Sequence, residues 1–106
     1  MISYDFYKNV YLGTAISEVA FPHAIARGEE WVAKLERTCQ VEPYGPDSRA
    51  MAVCSVAETM EYHRKHQQIV QASIGGVTVR YEDDRKLQRQ LWRNVAVFLD
   101  IKRGVG

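Results

Sequence analysis

The chain has 106 residues, of which 46% are hydrophobic and 25% are charged, and its formal net charge is +1. This length allows one domain with a modest core, and the composition excludes a disordered or fibrous protein. No apolar run approaches the roughly 18 to 20 residues that cross a bilayer, and the N-terminus lacks the features of a signal peptide. We therefore expect a folded domain that stays in the cytoplasm.

Two helices are predicted in the first third of the chain. Ser3 is a candidate cap for a short aromatic helix that stops at Leu12-Gly13, because glycine enters the left-handed region without strain. An amphipathic helix of about four turns starts around Ser17 to Pro22, where proline fits a first turn. Its apolar face has a three-four spacing and comprises Phe21, Ile25, Gly28, Val32 and Leu35, with Ala24 and Trp31 beside them. Glycine inside a helix costs roughly 1 kcal/mol relative to alanine, so Gly28 indicates close approach of another helix.

The middle of the chain predicts a loop and then a central helix. Residues 39–47 contain Pro43, Gly45 and Pro46 and are typical of a loop. Asp47 or Ser48 can then cap a helix whose small and apolar residues, from Ala50 to Met60, cover more than one face. Its continuation from Glu61 to Gln68 is polar nearly all round, which predicts a helix that leaves the domain body.

The segment after this helix changes period. From Ile74 to Tyr81, valines and tyrosine alternate with Thr78 and Arg80, a pattern that favours an extended strand. One short strand needs a partner edge, from a local hairpin or from another subunit. We interpret residues 73–82 as a projecting arm. The predicted oligomer or partner interface comprises Ile74, Val77, Val79, Arg80, Tyr81 and, from the next helix, Trp92.

A final helix is predicted from a cap at Asp83 or Asp84 to Asp100. Its apolar stripe comprises Leu87, Leu91, Val95 and Phe98, widened by Trp92 and Leu99. Arginines recur every four residues on another face, at Arg85, Arg89 and Arg93. From Arg80 onward, seven Lys or Arg residues stand against four Asp or Glu residues, so the C-terminal end is basic. It closes in a loose tail, residues 101–106.

Five segments together carry a resemblance to a known family. They are Tyr4-x-Phe6-Tyr7 with Gly13, Phe21-Pro22, Ala52-Val53-Cys54-x-Val56-Ala57-Glu58, Ser73-x-Gly75-x-Val77-x-Val79-x-Tyr81, and the closing leucine and aromatic helix. In this order they resemble the small head-tail connector proteins (adaptor, or head-completion, proteins) of tailed bacteriophages and prophages. The likeness spans nearly the whole chain, and none of the segments performs chemistry.

The resemblance implies a non-enzymatic structural protein without a cofactor. Its expected fold is mainly α, a compact bundle of about four helices with a short extended or β arm before the last helix, in a single domain over residues 1–106. Such proteins form a ring beneath the portal and extend the DNA exit channel. The implied partners are copies of the chain itself, the portal protein, a tail or stopper protein and, without specificity, DNA in the channel, but no membrane. The implied locations are the bacterial host cytoplasm during assembly and the head-tail junction of the virion.

The basic residues of the C-terminal end have two interpretations. The functional one places Arg85, Arg89, Arg93, Lys102 and Arg103 toward the DNA channel or an acidic portal surface. The other is a solvated face whose arginines pair with neighbouring carboxylates such as those of Asp83 and Asp84. Insertion of the tail into the portal would also follow from the resemblance, although this tail is short.

Other classes of function are less favoured by the sequence. A small helical nucleic-acid-binding regulator could use the basic final helix, but no short helix-turn-helix pair precedes it. His63 and His66 share a helix without a second ligand pair for a metal ion, and Cys54 lies among small apolar residues, where an inert reduced thiol is expected, as for Cys39. Gly75-Gly76 is followed by a strand pattern, which does not fit a phosphate loop. No paired acid and base suggests an enzyme.

Overall fold

Four helices and two short strands make up the part of the chain that the structure describes. The computed structural model describes the backbone of residues 2–73 and 77–102, and the side chains of residues 2–65 and 85–102. The elements are α1 (Tyr4–Asn9), α2 (Phe21–Thr38), β1 (Gln40–Pro43), α3 (Ser48–Ser73), α4 (Val77–Val95) and β2 (Leu99–Lys102). The predicted fold class, a mainly helical bundle of about four helices with a short β element, is confirmed.

The first helix starts as predicted but stops for a different reason. Ser3 caps α1, since its Oγ accepts a hydrogen bond from the backbone N–H of Phe6 at 3.1 Å. The left-handed residue after the helix is Leu12, with φ of 64°, and not Gly13. Glycine is needed at position 13 because a Cβ atom there would overlap the ring of Tyr7. The glycine therefore permits close packing of an aromatic ring.

The predicted apolar face of α2 is buried. Pro22 lies in the first turn, and the buried residues of the helix are Phe21, Ala24, Ile25, Gly28, Val32 and Leu35. A Cβ atom added to Gly28 would lie 2.7 Å from the carbonyl oxygen of Val53 and 3.3 Å from the Cβ of Ala57. The prediction that Gly28 marks the close approach of another helix is confirmed, and that helix is α3.

Helix α3 is the centre of the core. Every residue from Ala52 to Ala57 is buried, as the predicted apolar surface on more than one face requires.

An arginine at the start of α3 forms ion pairs with α2 at the protein surface. The Arg49 guanidinium contacts the carboxylate of Glu29 at 2.9 Å and that of Glu36 at 3.0 Å, and these carboxylates raise its pKa.

Helices α3 and α4 run antiparallel. Only residues 74–76 separate the two helices, and Asn94 near the end of α4 donates a hydrogen bond from Nδ2 to Oγ1 of Thr59, at 2.9 Å, in the first half of α3. The predicted core stripe of the last helix is confirmed for its helical part. Leu91 and Val95 are fully buried, and Leu87 is half-buried against the core.

A two-stranded sheet lies where the sequence predicted a loop and the end of a helix. Strand β1 pairs antiparallel with β2, so that Val41 faces Ile101 and Pro43 faces Leu99. The prediction of a helix to Asp100 is therefore wrong, because α4 ends at Val95. Leu99 is 1% exposed, and the extended backbone places it in the core while the strand gains ladder hydrogen bonds. Proline at the end of β1 is tolerated because this strand lies at an edge.

The predicted strand in residues 77–81 is also corrected. These residues form the start of α4, and the β element lies instead at the two positions given above. Intrinsic strand preference spans only about 1 kcal/mol between residues, whereas in the helix the carbonyl groups of these residues accept hydrogen bonds from N–H groups one turn later. Ser73 is the last residue of α3, and Ile74 lies outside the described residues. The tail is shorter than predicted, because residues 101 and 102 belong to β2.

Candidate interaction surfaces

The outward face of α4 is basic. Arg89 and Arg93 each stand two residues from the buried Leu91, which places them about 200° around the helix from it at 3.6 residues per turn. Both side chains are exposed, as are those of Arg85 and Lys86. A shallow groove of about 370 Å³ runs along this face, lined by Lys86, Arg89, Gln90, Arg93 and Asn94. The predicted arginine stripe therefore lies on one accessible surface.

Three of these basic side chains make no ion pair with the side chains that the structure describes. Within the described part of the chain, the ion pairs are those of Arg49 and of Arg64, and none involves Lys86, Arg89 or Arg93. Arg85 differs, since it makes an interaction within the protein. The other interpretation, in which the arginines pair with Asp83 and Asp84, stays a prediction, because the side chains of these two residues lie outside the description.

The other two residues predicted to face DNA or the portal are not on α4. Lys102 is exposed at the end of β2, where its Cα partner is Gln40. Arg103 lies outside the described residues. The sheet therefore fixes the position of Lys102. That Lys102 and Arg89 face the same partner stays a prediction.

An aromatic groove lies where α2 meets α4. The ring of Trp92 packs edge to face against that of Trp31, with centroids 6.5 Å apart and an angle of 80° between the planes. Trp31 Nε1 donates to Oε1 of Gln88 at 3.2 Å. Both rings are half-buried, and with Lys34, Leu35, Thr38 and Gln88 they line a groove of about 260 Å³. Of the predicted interface, Trp92 is the residue whose side chain the structure describes; Val77, Val79, Arg80 and Tyr81 lie on α4, with side chains outside the description.

Sequence reasoning missed a buried hydrogen-bonded cluster between the N-terminus and α3. The fully buried Tyr7 donates from its hydroxyl to Oε2 of Glu58 at 2.6 Å and accepts the backbone N–H of Ile16 at 2.9 Å. Tyr11 stacks on Tyr7, with centroids 5.9 Å apart. Burial, followed by the charge of Glu58, raises the pKa of Tyr11 to about 12, and burial with the Glu58 hydrogen bond raises that of Tyr7 further. The sequence signal for this cluster is Glu58, a carboxylate at the end of the run of small residues from Ala52 to Ala57.

The cysteines are free thiols, with Cys54 buried and Cys39 half-buried. Burial raises the pKa of the Cys54 thiol to about 12, so the nucleophilic thiolate is disfavoured there. Among the residues that the structure describes, no group of three or more His, Cys, Asp or Glu side chains could hold a metal ion. In the same part of the chain, no helix combines the length and the apolar character needed to cross a membrane.

We expect stability to fall at alkaline pH. The folded state raises the pKa values of Cys54 and Tyr11 to about 12, above the unfolded values of about 8.5 and 10. The unfolded chain therefore releases these protons first, and the stabilisation is present below pH 8.5 and lost as pH rises toward 12. At pH values where the group is protonated only in the folded state, each group lowers the free energy of unfolding by about 1.4 kcal/mol per pH unit. Denaturant unfolding between pH 7 and 11 measures the fall.

A Cys54→Ala variant separates the two contributions. It should be less stable at pH 7, because a buried side chain is shortened, but its stability should fall less steeply between pH 9 and 10. The matched variant is Cys39→Ala, since that thiol is only half-buried. Parallel pH profiles for the wild type and Cys54→Ala would contradict the assignment of the slope to the buried thiol.

No protein family model, no curated protein and no solved structure matches the chain.

Proposed function

We propose that the protein is a structural component of a tailed bacteriophage or prophage, a head-tail connector that forms an oligomeric ring between portal and tail. In this role the ring extends the DNA exit channel. The proposal starts from the resemblance of the five sequence segments and is supported by the way in which the fold uses them. Two of those segments meet directly, since Tyr7 of the first is hydrogen-bonded to Glu58 of the third.

The observation that carries the proposal is the length of the α3–α4 pair relative to the core. Among the described side chains of α3, the last buried one is Glu61, yet the helix continues to Ser73. These 12 further residues extend about 18 Å at 1.5 Å per residue. Tyr62 at the start of this extension is 70% exposed. From this length we infer that the helix pair reaches past the core, where it can contact a neighbouring molecule.

This helix pair takes the place of the predicted strand as the arm of the proposed connector. A closed ring needs heterologous contacts, in which one surface patch meets a different patch on the next copy. An amphipathic helix can lie in a groove of a neighbour, so a helical arm serves this purpose as well as a strand. The distal part of the pair contains Ile69, Val70, Val77, Val79 and Tyr81, which are apolar residues in a largely polar segment.

The experiment that tests the connector role is reconstitution with a portal. The genes adjacent to the one for this chain should include a portal protein, and the two proteins are co-expressed and purified together. We expect the isolated chain to be a monomer or a weak oligomer, and the complex to show a ring on the portal by electron microscopy and by mass measurement. Absence of a portal gene nearby, or no association with that portal, would contradict the proposal.

Charge in the first turns of α4 should prevent ring assembly. The variants Val77→Asp, Val79→Asp and Tyr81→Asp place a carboxylate where the arm is proposed to contact a neighbour, and burying an unpaired charge costs several kcal/mol. We expect loss of the portal-bound ring by sedimentation. Val19→Asp is the matched control, because Val19 is 93% exposed on the body. Normal rings from the α4 variants, with helix content unchanged by circular dichroism, would remove the arm from the interface.

One observation favours the alternative, a small helical nucleic-acid-binding regulator. Lys86, Arg89 and Arg93 are exposed and make no ion pair within the described residues. A regulator requires selectivity for a duplex sequence in addition to charge. Sequence-selective duplex binding that is lost when Arg89 and Arg93 are replaced would support the regulator over the connector.

A further inference from the structure

The outward face of α4 has a concentration of positive charge. Between Arg85 and Val95 the chain has four basic residues and no Asp or Glu. The carboxylates that form ion pairs in the described part of the chain are Glu29, Glu36 and Glu61, and none of them lies on α4. From Arg85 to Val95 the basic groups therefore have no acidic neighbour, and Glu82 and Asp83, one turn before Lys86 on the same helix, have side chains outside the described residues.

The geometry of these groups suits a row of phosphates. Lys86, Arg89 and Arg93 are separated by about 4.5 and 6 Å along the helix axis at 1.5 Å per residue. A duplex presents one negative charge per about 1.7 Å of its axis, so three cations spread over about 10 Å meet several phosphates at once. Guanidinium groups also present a planar fork of donors that matches phosphate oxygens. The exposed amide of Gln90, which lines the same groove, adds a neutral donor.

We propose that the face of α4 formed by Lys86, Arg89 and Arg93 binds the phosphate backbone of nucleic acid without sequence preference. The attraction comes from charge complementarity and counterion release, neither of which depends on the bases. This proposal extends the non-specific DNA contact that the proposed connector role implies. Its test uses the isolated chain, so its outcome is separate from that of the portal reconstitution. An acidic protein surface is the competing partner, and the experiment below distinguishes it.

The test is a fluorescence anisotropy titration of the full chain with labelled duplexes of two unrelated sequences, from 50 to 200 mM NaCl. Three neutralised phosphates predict a slope of log affinity against log salt of about −2.7, which is a loss of about 40-fold across this range. We expect equal affinities for the two duplexes. Single variants Arg89→Gln and Arg93→Gln should each reduce the slope by about 0.9, and the triple variant with Lys86→Gln should lower affinity at 50 mM salt at least 10-fold.

A matched control removes the same charge from elsewhere. Lys8, Arg27 and Arg37 are exposed on α1 and α2, so the triple variant K8Q/R27Q/R37Q has the same net charge as K86Q/R89Q/R93Q. Its affinity for the duplexes should fall less than two-fold. Circular dichroism melting checks that both variants are folded.

Three results would overturn the proposal. Equal weakening in the two triple variants would assign the binding to net charge. A strong preference for one duplex would assign it to base recognition. Binding to polyglutamate as tight as to DNA would assign the face to an acidic protein surface.

Discussion

Replacing Gly28 with leucine should destabilise the protein by about 3 kcal/mol, because the side chain would enter a helix contact that has no space for it. Even a Cβ atom at this position would lie 2.7 Å from the backbone oxygen of Val53. That oxygen belongs to the central helix α3, so relief requires α2 and α3 to move apart. Such a movement would open contacts along the face of α2 that contains Ile25 and Val32. Denaturant unfolding and thermal melting measure the effect, and we expect a melting temperature lower by at least 10 °C.

Two further variants define the cause of this loss. Gly28→Ala gains roughly 1 kcal/mol of helix propensity but still meets the Val53 oxygen, so we expect a smaller net destabilisation. Ala26→Leu places the same leucine side chain at an exposed position of the same helix and should change stability by less than about 0.5 kcal/mol. A stable Gly28→Leu protein would mean that α2 and α3 are not in close contact at this glycine.

Tyr7→Phe is the second substitution from which we expect a large effect, a loss of about 1 to 3 kcal/mol of stability. The change removes one hydroxyl, so the backbone N–H of Ile16 loses its partner and the half-buried carboxylate of Glu58 loses one of its two tyrosine neighbours. Each buried polar group left unsatisfied costs about 1 to 3 kcal/mol. Unfolding in urea at pH 7 measures the loss, and the substitution preserves the ring, so packing against Phe21 is retained.

Tyr4→Phe is the matched control for this hydroxyl. Tyr4 lies one helical turn earlier, its ring packs edge to face on Phe21 with centroids 5.2 Å apart, and its hydroxyl makes no hydrogen bond within the described residues. We expect a change below about 0.5 kcal/mol. If the two variants were equally stable, the Tyr7 hydroxyl would not be the link between the N-terminal segment and α3.

The expected effects fall on separate parts of the molecule. Gly28 and Tyr7 act on the body, where they hold α2 and the N-terminal segment against α3. The α4 substitutions proposed for the arm should change assembly, and those of Lys86, Arg89 and Arg93 should change binding to nucleic acid, since these three side chains are exposed. A variant that loses assembly or nucleic-acid binding but keeps its stability would therefore show that the substituted surface makes that contact.

Most of the helical core could be predicted from local pattern. The spacing of Phe21, Ile25 and Val32 places them on one face of any helix, and the small residues from Ala52 to Ala57 fit a helix surrounded by others. Ser3 as a cap and Gly28 as a contact point follow from the chemistry of single residues. The candidate basic face was also predictable, because Arg85, Arg89 and Arg93 recur at helical spacing.

The errors occurred where short segments depend on partners far away in the chain. Gln40–Pro43 and Leu99–Lys102 become strands through pairing with each other, and neither has a pattern long enough to indicate a strand alone. Residues 77–81 alternate like a strand, but they lie in the first turns of α4, where their carbonyl groups accept hydrogen bonds from N–H groups one turn later in the same helix. The Tyr7–Glu58 hydrogen bond joins residues 51 positions apart, a distance over which periodicity carries no information.

The local sequence of this chain determined which long segments are helical, which helix faces are buried and where two helices approach closely. The reason is that side-chain spacing on a 3.6-residue repeat defines the faces of any long helix. The sheet, the end of α4 and the buried Tyr7–Glu58 contact depended on the assembled fold. Their energy comes from hydrogen bonds and burial between segments that have to be brought together before either gains anything.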